Sequence, residues 1–144
     1  MGKSEGKLDD TLLPQDVPWD FNKLVPDLIV INLGTNDDSY TKEDTGKQAE
    51  YAQEYVEFLK MVRRNNPHAP ILCTLGIMGD RLYPYVEQAV SVYSRETGDS
   101  NITAMKFDEQ LSADGYAADF HPSQATHRKA AHQLTAQIRE LLKW

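Results

Sequence analysis

The chain has 144 residues, the size of one ordinary domain, and its 40% hydrophobic and 26% charged residues are typical of a globular protein. Its 22 acidic residues against 15 basic ones give a net charge of -7, which disfavours binding to nucleic acid or to an anionic membrane surface. The single cysteine, Cys73, excludes a disulfide within the chain and a two-cysteine metal motif.

The first segment of the chain carries charge, Pro14 and Pro18 and little hydrophobic periodicity. This predicts an irregular lead-in over residues 1–20 and a folded domain over residues 21–144. The opening stretch MGKSEGKLDD has no apolar signal core, and no run in the sequence approaches the length of a membrane span. The sequence therefore leaves the cellular location unknown.

Three units of strand followed by helix are predicted. The continuous apolar run Leu28–Leu33 predicts a strand covered on both faces, Ile71–Leu75 repeats that signal, and Asn101–Phe107 is a third candidate. Apolar residues at helical spacing predict helices over about 46–65, around 86–93, and after Pro122, which suits the first turn of a helix. This alternation predicts an α/β fold with a mostly parallel sheet and helices on its faces.

Two polar clusters follow predicted strands, in GTND and in DFHP. Gly34 would let a backbone approach closely, and the Asn36 amide can donate to a developing negative charge. His121, two residues after Asp119, could be a general base oriented by a carboxylate. Taken alone, each cluster is explained as well or better by turn formation and capping. Because ligands meet the carboxyl ends of parallel strands, the two clusters are predicted to face one crevice.

In this order, the motifs GTND and DFHP resemble those of the SGNH, or GDSL, hydrolases. The segments LPQDVPWDFNKLVPDLIVINLGTND, PILCTLGIMGD and DFHPSQATHRKAAHQL are similar to carbohydrate esterase family two, bacterial enzymes that remove acetyl groups from xylan and related polysaccharides. The similarity runs from about Leu12 to Trp144. It implies a flavodoxin-like α/β/α fold of three layers with a parallel sheet, here lacking the first two of the family's five strands.

The resemblance implies a role for each candidate residue. Asn36 would be an oxyanion donor and His121 the base of a serine nucleophile, with Asp119 or a backbone carbonyl orienting the imidazole. Gly34 and Phe120 would shape and line the substrate site, although packing of Phe120 under its loop is equally compatible. The expected substrate is an acetylated polysaccharide or a small acyl ester. No cofactor and no metal are expected, since the histidine spacing matches no usual ligand pattern.

One departure from the family concerns the nucleophile. The family's Gly-Asp-Ser block precedes the GTND strand and is not found; Ser4 follows no strand, whereas Ser39 and Ser123 are typical of turns and helix caps. We therefore expect the isolated chain to be inactive and to need a missing segment or a partner for turnover. We also expect an exposed sheet edge, through which the chain could form homo-oligomers. The alternative is an inactive remnant that binds carbohydrate or assembles with another chain. A flavodoxin-like regulatory or nucleotide-binding domain, which fits the strand and helix pattern alone, ranks last, because no phosphate-binding glycine loop is present.

Overall fold

The central sheet consists of three parallel strands within residues 19–144, the part of the chain that the computed structural model describes. The strands β1 (Ile29–Asn32), β2 (Ile71–Leu75) and β3 (Ile102–Lys106) lie side by side in the order β1-β2-β3. Both neighbouring pairs are parallel. These bounds confirm the α/β prediction and all three predicted strands. The predicted lead-in over residues 1–20 lies almost wholly outside the described residues.

Helices follow each strand: α1 (Thr35–Thr41), α2 (Thr45–Asn65), α3 (Tyr83–Thr97) and α4 (Gln124–Leu142). The Asp44 carboxylate caps α2 by accepting hydrogen bonds from the N–H groups of Gly46 and Lys47. The Ser123 hydroxyl caps α4, so the prediction that Pro122 lies in the first turn is wrong; Pro122 precedes the cap. Within residues 19–144, none of these helices is long and apolar enough to cross a membrane.

The main hydrophobic core lies between one face of the sheet and the helices α2 and α3. Its buried members come from all three strands, from both helices and from the residue that precedes α3: Ile31, Tyr55, Val56, Leu59, Ile71, Cys73, Leu75, Leu82, Val86, Ala89, Tyr93 and Ile102. Side chains alternate along a strand, so Leu72 and Thr74 point to the opposite face, and both are fully buried. The burial of these two side chains shows that the second face of β2 is covered as well, as a three-layer fold requires.

β1 is less covered than the central strand. Val30 is 40% exposed, whereas Leu72, its partner in the register with β2, is completely buried. The prediction that this strand is covered on both faces is therefore wrong, and Ile31 is the one buried side chain in β1. No strand pairs with the outer edge of β1 within the described residues. Among the described residues, the backbone groups along this edge are therefore unpaired, and the apolar side chain of Val30 is only partly covered.

The amino end of the sheet is held by a hydrogen-bonded ion pair. Arg63 Nε donates to Asp99 Oδ2 at 2.7 Å, and the Tyr93 hydroxyl donates to the same oxygen at 2.8 Å. The other guanidinium nitrogens donate to the carbonyl oxygens of Ala69 and Asn101, which precede β2 and β3. Partial burial alone would raise the pKa of Asp99, but the hydrogen bonds from Asn101 N–H, Tyr93 and Arg63 outweigh it and lower that pKa.

Candidate active site

Gly34 joins β1 to α1 in a conformation that favours glycine, with φ at 136°. A Cβ atom at this position would lie 2.8 Å from Leu75 Cδ1 and 2.8 Å from Tyr51 Oη, so any side chain would collide with its neighbours. Gly34 is buried, and it lines a cavity of about 140 Å³ together with Ser39 and Met78. Its described contacts therefore shape the turn that begins α1.

Asn36 lies in the first turn of α1, with an exposed side chain. The sequence predicts a loop over GTND, but the segment is helical from Thr35 onward, because the Asp38 N–H donates to the Gly34 carbonyl at 2.8 Å and closes a helical turn. Arg81, in the loop after β2, places Nε 3.3 Å from Asp38 Oδ1 and Nη1 3.2 Å from Glu43 Oε1. The first contact is an ion pair outside hydrogen-bonding geometry, since Oδ1 has no donor among the described residues. These contacts anchor α1 and leave the Asn36 amide open to a ligand.

His121 follows a short 3₁₀ turn, Ala118–Phe120, and its side chain is exposed. Its Nδ1 lies 2.9 Å from the carbonyl oxygen of Ala118. Because a carbonyl oxygen can only accept, Nδ1 carries the proton and donates it. This tautomer leaves Nε2 with a free lone pair, which is the state that a general base requires.

Asp119 and Phe120 both have left-handed backbone conformations, with φ at 52° and 58°. Within residues 19–144, the Asp119 carboxylate makes no hydrogen bond to His121, so the structure does not join the predicted pair through their side chains. The Phe120 ring is 73% exposed and packs edge to face against Tyr116, with ring centroids 5.7 Å apart. The ring therefore lies on the surface beside the histidine and not under the loop.

A row of hydrogen bonds connects the loops at the carboxyl ends of the strands. Asn32 Nδ2 donates to the carbonyl of Gly76 at 3.0 Å, which ties the end of β1 to the loop after β2. The backbone N–H of Gln110 donates to the carbonyl of Ile77 at 3.0 Å, and its side-chain Nε2 donates to the carbonyl of Phe120 at 2.9 Å. The two predicted polar clusters thus lie at the same edge of the sheet, joined through intermediate residues and not by a described hydrogen bond between them.

Sequence reasoning missed Gln110 and Tyr116, which lie between β3 and α4, where the sequence predicts only a long loop. Gln110 bonds to a residue ten positions further on, and no local pattern marks such a contact. Tyr116 precedes the candidate histidine by five residues and pairs with Phe120. An aromatic residue within that loop is the one signal that could have pointed to it.

No serine hydroxyl is hydrogen-bonded to His121 within residues 19–144. Ser123 Oγ donates to the Asp114 carbonyl at 2.8 Å and caps α4, as its position predicts. The thiol of Cys73 is not an alternative nucleophile, because it is fully buried and burial raises its pKa to about 12. The described residues also contain no cluster of three or more His, Cys, Asp or Glu side chains that could hold a metal ion.

Comparison with known proteins connects this geometry to a family. The model of the GDSL-like Lipase/Acylhydrolase family matches residues 4–129. The Cellulase/esterase CelE of Acetivibrio thermocellus is 40% identical over 139 residues, which cover 93% of this chain and 17% of that protein. An acetylxylan esterase / glucomannan deacetylase of Cellvibrio japonicus is 31% identical over 153 residues, which cover 96% of this chain and 40% of that protein.

A solved structure extends the likeness to three dimensions. The structure of a family two carbohydrate esterase from Clostridium thermocellum in complex with cellohexaose superposes with a TM-score of 0.79 at 40% identity, over 89% of this chain and 40% of that one. The chain therefore spans 17% and 40% of the length of the two curated relatives that it matches. Its fold, its motifs and the match over residues 4–129 agree with the resemblance found in the sequence, and the chain belongs to the GDSL-like lipase/acylhydrolase family.

Proposed function

We propose that this chain supplies the histidine base and the oxyanion donor of a carbohydrate esterase that removes acetyl groups from a polysaccharide. The observation that carries the proposal is the orientation of His121, whose Nδ1 donates to the Ala118 carbonyl and whose Nε2 is left free. The ring is thereby held in the tautomer that a general base requires. The relatives of similar sequence carry the names cellulase/esterase and acetylxylan esterase, which supports esters of carbohydrates as the substrate class.

In the proposed reaction, a serine hydroxyl attacks the acetyl carbon while Nε2 of His121 takes its proton. The carbonyl oxygen of the ester becomes an oxyanion, to which the Asn36 amide donates a hydrogen bond. His121 then returns the proton to the departing sugar hydroxyl, and water releases acetate from the serine in a second cycle of the same kind. The serine is proposed to come from a segment outside residues 19–144 or from a partner.

We assign the orienting role to the Ala118 carbonyl in preference to Asp119. The carbonyl lies 2.9 Å from Nδ1, whereas the Asp119 carboxylate has no described hydrogen bond to the ring. A carbonyl acceptor selects the same tautomer as a carboxylate would, although it adds no full charge to stabilise the imidazolium. Phe120 and Tyr116 are proposed to form an aromatic surface beside the base, against which a sugar ring can stack.

The test is hydrolysis of 4-nitrophenyl acetate by the wild-type chain and by His121→Ala, with serine-directed phosphonate labelling of both. This activated ester reports on the base even without a serine. In that case Nε2 bonds to the acetyl carbon, 4-nitrophenolate departs, and water hydrolyses the acetylimidazole to acetate. We expect the rate above background to disappear in His121→Ala, and a labelled serine would identify the nucleophile.

A matched control is His132→Ala, which removes another exposed histidine, on α4. This variant should hydrolyse the ester at the wild-type rate. If His121→Ala also retains the wild-type rate while it remains folded, His121 is not the base and the proposed function is wrong.

A second candidate function is binding of a β-glucan chain without turnover. It is favoured by the exposed pair Tyr116 and Phe120 and by the similarity to a family two carbohydrate esterase that was solved in complex with cellohexaose. Calorimetry with cellohexaose separates the two candidates. A binding module should lose affinity for cellohexaose in Phe120→Ala and keep it in His121→Ala, and the wild type should release no acetate from an acetylated polysaccharide.

A further inference from the structure

We infer that Gln110 is a positioning residue that fixes the ring of His121 through the peptide group between Phe120 and His121. This inference rests on the proposed function, since it concerns the orientation of the proposed base. The starting point is the backbone of the loop. Asp119 and Phe120 are consecutive residues other than glycine with φ at 52° and 58°, a conformation that side chains disfavour. Contacts from outside these two residues must therefore hold the loop in place.

Gln110 provides such a contact from the neighbouring loop. Its backbone N–H donates to the Ile77 carbonyl, which anchors it to the loop after β2. Its side chain is partly buried, and Nε2 donates to the carbonyl oxygen of Phe120 at 2.9 Å. The other side-chain polar atom, Oε1, is buried and has no partner among the described residues. The hydrogen bond to Phe120 is thus the polar contact that directs this amide.

The position of that bond explains how it reaches the imidazole. The Phe120 carbonyl belongs to the same planar peptide group as the N–H of His121. That N–H donates to the Ala118 carbonyl at 3.0 Å, and Nδ1 of the His121 ring lies 2.9 Å from the same oxygen. Gln110 holds one end of this peptide plane while Ala118 accepts from the other. Loss of the Gln110 bond would let the plane rotate and release the ring from Ala118.

The experiment measures the tautomer of His121 by long-range ¹H–¹⁵N correlation at about pH 8.5. The variants are Gln110→Met, which keeps the length and removes both polar atoms, and Gln110→Asn, which keeps the amide and is one methylene too short. Gln133→Met is the matched control. In the wild type, the Gln133 amide oxygen accepts from the Asp108 N–H at 3.3 Å, so Gln133 also supports the loop after β3, and it has no described hydrogen bond to the His121 loop.

We expect the wild type and Gln133→Met to show His121 protonated on Nδ1, and both Gln110 variants to lose that signal in favour of Nε2–H. Far-ultraviolet circular dichroism and the thermal midpoint establish that each variant is folded. Folded Gln110 variants that keep Nδ1–H would overturn the role of Gln110 and leave the proposed function intact. Unfolding of both Gln110 variants would make the residue structural and would also overturn it. A wild type protonated on Nε2 would overturn this inference and the orientation of His121 on which the proposed function depends.

Discussion

The two ends of the sheet differ in how their polar groups are satisfied. At the amino end, Arg63 and Asp99 are mostly buried, and each makes several hydrogen bonds to neighbouring groups. At the carboxyl end, Asn36 and His121 are exposed, and the loop that carries His121 contains two strained residues. Polar groups that are fully hydrogen-bonded and backbone without strain stabilise a fold. Exposed hydrogen-bond donors and strained backbone conformations are typical of sites that act on a ligand.

The difference suggests that stability and chemistry are separated along the axis of the sheet. The amino-end ion pair ties the starts of β2 and β3 to α2, and it lies at the opposite end of the strands from the proposed base. Substitutions there should change stability and leave ester chemistry unaffected. Substitutions at the carboxyl end should change ester chemistry and leave stability unaffected.

The largest expected effect on stability is that of Asp99→Ala. It removes the acceptor of Arg63, Tyr93 and the Asn101 N–H, and leaves a partly buried guanidinium without its carboxylate. Breaking such a pair should lower the free energy of unfolding by about 3 kcal/mol, measured by urea denaturation. Glu96→Ala, which removes an exposed ion pair, is the control and should change the unfolding midpoint little. Equal effects of the two substitutions would contradict the special role of the amino end.

The largest expected effect on chemistry, after loss of His121, is that of Asn36→Ala. Loss of one oxyanion donor should lower the His121-dependent rate of acetyl ester hydrolysis about 100-fold while the unfolding midpoint stays the same. The neighbouring exposed carboxylate offers the control, Asp37→Ala, which should stay within about threefold of the wild-type rate. A normal rate in Asn36→Ala would remove Asn36 from the proposed site.

A smaller effect is expected in the pH dependence of stability. The folded pKa of Asp99 lies below its ordinary value, so its carboxylate contributes stability that is present above the unfolded pKa and is lost as the pH falls through the folded pKa. Unfolding free energies of the wild type should therefore decline below about pH 4. Asp99→Asn cannot lose a charge and should show a shallower acid slope in the same urea series. Parallel slopes would show that other carboxylates dominate the acid response.

The weakest expected effect concerns the open edge of β1, which we propose as a site of self-association. Val30 is 40% exposed and the outer edge has no described partner, so two copies could pair along it. Sedimentation velocity should show association that increases with protein concentration. Val30→Lys places a charge beside the edge and should reduce association. A monomer over the whole concentration range would exclude this interface.

Much of the fold could be predicted because strands and helices leave local signals. The apolar runs of β2 and β3 and the periodicity of α2 depend on residues close in sequence. No local pattern marks the exposure of Val30, since it depends on whether another element covers the strand; only the resemblance, through the strands it implies are missing, predicted an exposed edge. For the same reason, the hydrogen bond between Gln110 and Phe120 could not be predicted, because it forms only when separate loops meet at one edge of the sheet. The histidine motif was recognisable, but which group orients its ring was not.

The most direct test of the proposed site compares Asp119→Asn with His121→Ala in acetyl ester hydrolysis. The Ala118 carbonyl is proposed to orient His121, since it lies 2.9 Å from Nδ1 and the Asp119 carboxylate makes no described bond to the ring. Asp119→Asn should therefore retain the His121-dependent rate to within about threefold while His121→Ala loses it. A loss of about 10⁴-fold in Asp119→Asn, the size seen when a triad aspartate is replaced, would contradict this assignment and restore Asp119 as the orienting group.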